Sequence, residues 1–277
     1  MNNATTTTTA QNMEIRDVVS LLSFNETSIQ LGSYRKQINS LYGSVNLGWK
    51  HMLYFDATLR GDQSSTLPTN KNTYVYPSFS GSWVFSEVLK NNKALPYGKL
   101  RMSWAQVGSD TNPYQLALNY TKSRYTYTGY PMGFINNSTI PNKNLKPTRT
   151  NSFEIGIETK FLQNRISLDF TYYNQRSKNQ IMGMATSWTS GYTYRLINAG
   201  EIDNNGIEIQ LGTRPIQTKD FSWDVNINFA KNSNKVKELV DDMNLFELER
   251  ASWCNVEVAA VVGENFGSII GPDYKRN

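Results

Sequence analysis

Paired carboxylates are the first side chains in this sequence whose spacing suggests chemistry. Glu154 and Glu158 lie four residues apart, and glycoside hydrolysis uses two carboxylates. Four residues along a strand span roughly 13 Å, whereas glycosidase carboxylates are separated by about 5 to 9.5 Å. The two residues are therefore interpreted as neighbours on one strand face, and we expect no enzymatic activity.

Metal chemistry has equally little basis in the residue pattern. The stretch "DNNG" at 203–206 resembles the start of a calcium loop, but the twelfth position from Asp203 is Arg214 instead of Glu. His51 is the only histidine and Cys254 the only cysteine, and neither has the neighbours that a zinc site requires. We expect no catalytic residue, no metal and no cofactor.

Aromatic side chains in two long polar stretches are better candidates for a binding site, because ligand sites are rich in aromatic faces. The candidate substrate-binding residues are Tyr125, Tyr127, Tyr130, Trp188, Tyr192 and Tyr194. Alternatively, these rings pack the loops together or contact a partner protein. Which of these uses applies depends on the elements that carry the loops.

Eight segments alternate apolar and polar residues, which is typical of strands because successive side chains point to opposite faces. They cover 41–49, 53–60, 75–85, 99–104, 152–158, 166–173, 207–211 and 223–229. In the second segment, Leu53, Phe55 and Leu59 share one face and Asp56 and Arg60 the other. Aromatic residues make up 12% of the chain, which also favours a β protein.

The connections between these segments alternate in length. Short ones at 50–51, 87–97, 162–164 and 214–221 alternate with long polar ones at 62–73, 109–149, 177–199 and after 232. Short periplasmic turns and long extracellular loops are typical of an antiparallel transmembrane β-barrel of the outer membrane. We also expect a girdle of aromatic residues near the strand ends: Trp49, Tyr54, Phe85, Trp104, Tyr172 and Trp223.

The charged strand face is then expected to line the barrel lumen, because lipid accepts only the apolar face. The predicted lumen-facing residues are Asp56, Arg60, Arg101, Glu154, Glu158, Asp169, Glu208 and Asp224. In a large barrel such residues contact water or an internal plug, and in a small one they pair with each other.

Several stretches are more specific than alternation. They are "SLYGSVNLGWKHMLYFDATLRGDQSSTLP", "YVYPSFSGSWVFSE", "LPYGKLRMSWAQVGSD", "NKNLKPTRTNSFEIGIETKFLQNRISLDFTYYNQRSKNQI", "NAGEIDNNGIEIQL" and "VVGENFGSIIG". From about residue 36 onward, the chain resembles the barrel of the SusC/RagA family of TonB-dependent outer-membrane transporters. The resemblance implies a 22-stranded barrel with an N-terminal plug that TonB displaces. It also implies a SusD-like surface lipoprotein as a lid, and the import of oligosaccharides or peptides.

We expect the chain to be an internal piece of such a transporter, inactive alone, since we find no plug or TonB-contacting segment before residue 36. The expected regions are an undefined loop segment at 1–35, barrel strands and loops at 36–232, and an extracellular loop region at 233–277. Within the last region, the spacing of Val236, Leu239, Val240 and Met243 predicts a short amphipathic helix.

Two other architectures remain open: a surface adhesin or carbohydrate-binding β module, and a complete eight-stranded barrel. The formal net charge of +5 does not favour nucleic-acid binding, because the basic residues are scattered and form no dense stripe. The expected partners are instead outer-membrane lipids, the lipoprotein lid, TonB acting through a plug that this chain lacks, and a nutrient ligand.

Overall fold

The computed structural model describes residues 2–13, 24–89, 92, 94–118, 120–135, 139–240 and 243–272 of the 277-residue chain. Within these ranges the regular structure is all β, apart from two single 3-10 turns at Phe85–Glu87 and Trp188–Ser190. A helix of the length and apolarity needed to cross a membrane does not occur in these ranges.

Sixteen strands occur in the described residues, and the neighbours in each sheet are antiparallel except for β9 and β12. They are β1 (Asn2–Met13), β2 (Phe24–Arg35), β3 (Ile38–Trp49), β4 (Leu53–Ser64), β5 (Thr73–Trp83), β6 (Tyr97–Ser109), β7 (Tyr120–Tyr127), β8 (Tyr130–Ile135), β9 (Thr139–Ile140), β10 (Thr148–Phe161), β11 (Ile166–Ala185), β12 (Tyr194–Gln217), β13 (Ser222–Glu238), β14 (Leu245–Arg250), β15 (Glu257–Val261) and β16 (Ser268–Ile270).

One large sheet contains all eight segments that the alternation predicts. Its strand order is β13-β12-β11-β10-β6-β5-β4-β3, so neighbours in space are also neighbours in the chain once the β7–β9 insertion is set aside. The short β9 is added beside β12 in parallel. No pairing between β3 and β13 closes the sheet in the described ranges. The fold class is confirmed as an antiparallel meander of an open, partial barrel.

The short connections lie at one end of this sheet, and the one between β3 and β4 is a tight turn. Lys50 and His51 have φ values of 49° and 54°, and Met52 N–H donates to the Trp49 carbonyl at 2.9 Å. Two successive residues with positive φ form the turn type that matches the twist of antiparallel strands. The opposite end carries the long insertions, and there β11 and β12 extend to 20 and 24 residues.

The two faces of the sheet differ sharply in polarity. One cross-strand row joins Val45, Ala57, Phe79, Trp104 and Phe153 in five consecutive strands. The rings of Phe79 and Trp104 stack with centroids 6.0 Å apart. The large side chains of this apolar face are exposed, although such residues are normally buried.

Only some aromatic residues of the expected girdle lie at an end of the apolar face. Trp49, Leu53 and Trp83 form the row nearest the tight turns. The structure differs from expectation at Tyr54, which pairs with Ser82 on the polar face, and at Trp104, which lies in a middle row. Tyr54 has the parity of Asp56 in β4 and therefore points to the polar face. Trp104 is far from a strand end because β6 continues to Ser109.

Small cores occur at the end of the sheet that carries the long loops, which we call the loop end. Leu67, Tyr74 and Leu145 are buried together, and Leu116 and Ile181 pack against them. A second core contains Val236, Phe246 and Ala260 and joins the sheet of β14–β16 to the end of β13. The connections at this end are therefore packed structures with their own apolar interiors.

The expected helix around residues 236–243 is wrong. Val236 is a fully buried residue of β13, which continues to Glu238, and Leu239 and Met243 pack around the second core. The helical spacing therefore reflects burial in a loop core. Strands β1 and β2 pair within 1–35, and 233–272 contains the small sheet of β14–β16.

Candidate functional site

All eight charged residues predicted to face the lumen lie on the polar face of the sheet. One cross-strand row joins Asp56 to Glu154 through Ser80 and Ser103. The next row on the same face joins Arg101 to Glu208 through Gly156 and Thr171. Directly paired residues in antiparallel strands point to the same side. The structure thus brings together side chains from β4, β6, β10, β11, β12 and β13 that are up to 168 positions apart in the chain, from Asp56 to Asp224.

The central feature of the polar face is an ion pair that crosses a strand. Arg101 on β6 donates to Asp169 on β11 with Nη2–Oδ1 and Nη1–Oδ2 distances of 2.6 and 2.9 Å. Its Nη2 also donates to the Thr171 hydroxyl at 2.7 Å. The guanidinium passes over Gly156 of β10, where an added Cβ would lie 2.6 Å from Nε. Gly156 therefore permits the bidentate pair, a role that the alternation pattern did not reveal.

The other predicted charges fall into two classes. Asp56 accepts hydrogen bonds from Asn46 and, at 3.1 Å, from Ser80, and Asp224 pairs with Arg214 at 2.6 Å. Glu154, Glu158 and Glu208 make no ion pair within the described ranges. Beside the central ion pair, Glu208, Gln210 and Asn228 line an open depression of about 350 Å³. Such a surface suits water and polar ligands.

A buried polar cluster organises the loop end of β4 and β6. Arg60 Nε donates to Asp62 at 2.9 Å, and the Tyr76 hydroxyl donates to the same carboxylate. Just beyond β6, Asp110 accepts from Lys36 Nζ at 2.6 Å and from the Ser64 hydroxyl. The first of these contacts ties Arg60, one of the predicted lumen residues, to the base of the loops.

Electrostatics at Asp110 follow from these contacts. Burial raises the pKa of Asp110. The hydrogen bond and charge of Lys36 lower this pKa, as do the hydrogen bonds from the hydroxyls of Ser64 and Thr66, and together they outweigh the effect of burial. The net effect is a pKa below the ordinary aspartate value. The carboxylate is therefore ionised at neutral pH and stabilises the folded loop end.

The candidate binding aromatics occupy two separate sheets. Tyr127 and Tyr130 face each other across the tip of the β7–β8 hairpin, and both are more than 70% exposed. Thr128 and Gly129 form the turn between them with positive φ. The other pair, Tyr192 and Tyr194, is at the start of β12, where Tyr194 is exposed and Tyr192 half-buried. The side chains of Tyr125 and Trp188 lie outside the described part of the structure.

The described ranges contain no cluster of three His, Cys, Asp or Glu side chains arranged to hold a metal ion. Cys254 is a free, exposed thiol.

Comparison with known proteins identifies the family. The family model described as "TonB dependent receptor-like, beta-barrel" matches residues 3–246. The chain belongs to this family. The match includes the entire eight-stranded sheet and the β7–β9 insertion.

The resemblance to SusC/RagA transporters is confirmed by individual relatives of this TonB-dependent receptor-like chain. It is 26% identical over 256 residues to "TonB-dependent receptor P3" of Formosa agariphila, covering 90% of this chain and 26% of that protein. It is 27% identical over 222 residues to "TonB-dependent receptor SusC" of Bacteroides thetaiotaomicron, covering 76% of this chain and 22% of that protein. The chain thus spans about a quarter of the length of the curated relatives it matches.

Solved structures show the same fold. The chain aligns with "Structure of the RagAB peptide transporter" at a TM-score of 0.76 and 20% identity, covering 87% of this chain and 26% of that one. At this identity the likeness establishes the strand arrangement alone. The TonB-dependent receptor-like family consists of receptors and transporters of the outer membrane, and it is not an enzyme family.

Proposed function

We propose that this chain forms eight adjacent strands of a larger TonB-dependent barrel that imports bulky nutrients across the bacterial outer membrane. The observation that carries the proposal is the sheet with one exposed apolar face and one charged face, extending without interruption over eight strands. An apolar face of this size suits lipid, and the other face suits a wet lumen. The region proposed for the barrel strands and loops is 36–232, and the region proposed as an extracellular loop region is 233–277.

Both rival architectures are less compatible with these observations. A soluble adhesin or sugar-binding module needs its apolar face covered, yet Leu41, Leu47 and Leu59 are each at least 56% exposed. A complete eight-stranded barrel needs β3 to pair with β13, and these strands are the two edges of the open sheet in the described ranges. Unpaired edges are not tolerated in lipid, which favours additional strands in the working protein.

The substrate class proposed for the working transporter is an oligosaccharide or a peptide. Support comes from the SusC and RagAB relatives and from the exposed tyrosines at the hairpin tip. Tyr127, Tyr130, Tyr192 and Tyr194, together with Tyr125 and Trp188, are the proposed substrate contacts. The eight polar-face charges are the proposed lumen lining. A SusD-like lipoprotein is the proposed lid, and TonB would act through a plug outside these strands.

Cysteine accessibility tests the orientation of the sheet. In the complete protein with its plug deleted, we expect Thr58→Cys to react with a water-soluble maleimide and Ala57→Cys to remain unlabelled. The two positions are adjacent on β4 and point to opposite faces, so each variant is a matched control for the other. Equal labelling of both positions in intact outer membranes would contradict the proposed lipid and lumen faces.

Substrate class needs a separate measurement. Uptake of fluorescent peptide and oligosaccharide mixtures is compared with and without an uncoupler of the inner-membrane proton gradient. We expect one mixture to enter in a gradient-dependent manner and Tyr127→Ala with Tyr130→Ala to reduce that uptake. If neither mixture enters when the protein is present and folded, the proposed substrate class is wrong.

A further inference from the structure

The apolar face of the sheet ends abruptly toward the loop end, where the same face becomes charged. In β11, Ile166, Leu168, Phe170 and Tyr172 point to this side and are followed by Asn174, Arg176 and Lys178. The neighbouring strands change in the same rows. Tyr172 is level with Ile207 and Lys231, and Arg176 is level with Asp203 and Lys235.

The position of this change matches a lipid headgroup layer. Ten residues separate Ile166 from Arg176, which corresponds to roughly 24 Å of height at about 3.4 Å per residue and a tilt of about 45°. The apolar band of an outer-membrane barrel is about 25 Å tall. The charged rows, seen from the lipid side, therefore lie at the upper edge of the hydrocarbon layer.

A cavity of about 400 Å³ opens at this level beside β10. Its lining includes three cationic residues, Lys71, Lys146 and Arg149, together with Asn70 and Asn179. Arg149 is directly paired with Lys178 and lies on the same face as Phe153, four residues further along β10. Lys71 and Lys146 enter the cavity from the connections 65–72 and 141–147. Three segments distant in sequence thus converge on one basic site.

Hydrogen bonds hold the cavity wall in place. Asn198 of β12 donates from Nδ2 to the Lys146 carbonyl at 2.8 Å and to the Asn179 carbonyl at 3.1 Å. Its Oδ1 accepts the Lys146 N–H at 2.8 Å. Lys71 N–H donates to the Pro68 carbonyl at 2.7 Å. The cationic side chains therefore project from fixed backbone positions.

Unlike Arg176 and Lys178 of the same face, the three cations of the cavity have no carboxylate partner among the described residues. Arg176 pairs with Glu201 and Asp203 at 3.1 and 2.8 Å, and Lys178 pairs with Glu201 at 2.7 Å. No ion pair involves Lys71, Lys146 or Arg149 in the part of the chain that the structure describes. An uncompensated triple positive charge around a polar cavity favours an anionic occupant.

We propose that this cavity binds the phosphate group of an outer-leaflet lipid, an inference that rests on the proposed membrane orientation of the sheet. The guanidinium of Arg149 suits two phosphate oxygens, and the lysines act as point charges beside it. The amides of Asn70 and Asn179 supply further donors. Acyl chains attached to the phosphate would extend along the apolar face toward Val75 and Phe153. A bound lipid would thereby fasten the loops 65–72 and 141–147 to the membrane surface.

Native mass spectrometry of the complete protein in mixed micelles containing phosphatidic acid tests the proposal. We expect wild-type protein to retain the lipid and Lys71→Gln with Lys146→Gln to weaken its retention about tenfold. The matched control is Lys50→Gln with Lys219→Gln, which removes the same charge at the turn end and should retain lipid as wild type does. Wild type and both double variants are first checked for the shift in gel mobility on heating that distinguishes folded barrels.

Two outcomes would overturn the proposal. Equal loss in the two double variants would show that retention reflects overall charge, and equal displacement by inorganic phosphate at the lipid's own concentration would show a site for free anions. Diacylglycerol, which lacks the phosphate, should not be retained. These outcomes are distinguishable from failure of the proposed orientation, because labelling at positions 57 and 58 reports the orientation without reference to the cavity.

Discussion

Replacing Asp110 by alanine is expected to loosen the loop end of the barrel wall. The carboxylate is about 10% exposed and accepts from Lys36 Nζ at 2.6 Å, from the Ser64 hydroxyl and from the Thr66 hydroxyl at 3.2 Å. Asp110→Ala removes the acceptor of a half-buried ammonium and two buried hydroxyls. A hydrogen bond to a charged group contributes about 1.5–3 kcal/mol and leaving buried donors unpaired costs about 1–3 kcal/mol each.

The expected total is smaller than the sum of these contributions. The hydroxyls of Ser64 and Thr66 remain bonded to each other at 2.9 Å, and Lys36 is 26% exposed and can be hydrated. We therefore expect the free energy of opening this region to fall by about 3 kcal/mol, which is roughly 100-fold in the opening equilibrium.

Hydrogen exchange measured by mass spectrometry on the complete protein in detergent checks this value. The informative amides are Ser64 N–H, bonded to the Asn72 carbonyl, and Ser65 N–H, bonded to the Gln37 carbonyl, both at 2.9 Å. Their exchange should accelerate roughly 100-fold, while Asp220→Ala in the exposed turn 218–221 should leave it unchanged. Acceleration below about threefold, or equal acceleration throughout β10, would refute the reasoning.

Three further predictions follow from individual contacts. Because the pKa of Asp110 is depressed in the folded protein, its contribution to stability is complete above the ordinary aspartate pKa of about 3.9 and is lost as pH falls through the lower folded value. The same exchange experiment in acid should show that loss in wild type and none in Asp110→Ala. Gly156→Val should displace Arg101 and weaken its pair with Asp169, lowering the unfolding free energy by about 1 kcal/mol. In a protein that already carries Arg101→Met, Gly156→Val should lower the unfolding free energy by less. Urea titration measures both differences. Asn198→Ala removes hydrogen bonds to the backbone of 141–147. We expect this connection to become the first site of trypsin cleavage, at Lys143 or Lys146. An unchanged cleavage pattern would show that these hydrogen bonds do not hold the connection in place.

Local alternation was sufficient to locate all eight strands of the main sheet. Each predicted segment lies within or largely overlaps a strand, since period-two patterning states directly which residues share a face. The eight charged residues were likewise placed on one face from parity alone. Strand lengths were underestimated, because β11 and β12 continue for several residues into polar sequence at the loop end.

The loop end was predicted least well, for an identifiable reason. Val236, Leu239 and Met243 have helical spacing, yet they pack around Phe246 and Ala260 beside a continuing strand. Which side of an irregular segment is buried depends on the segment that covers it, and that segment is distant in sequence. Gly156 was overlooked for a related reason, since its role becomes apparent only when Arg101 is placed over it.

The sequence by itself determined the eight strands of the main sheet, the polarity of its two faces and the family, because these depend on neighbouring residues along one strand. Only the tertiary structure decided which charges meet. The pair of Arg101 with Asp169 crosses an intervening strand, and the cavity of Lys71, Lys146 and Arg149 joins two loops to β10. Such contacts depend on strand register and loop packing, which sum many weak interactions between distant residues and therefore leave no short-range pattern in the chain.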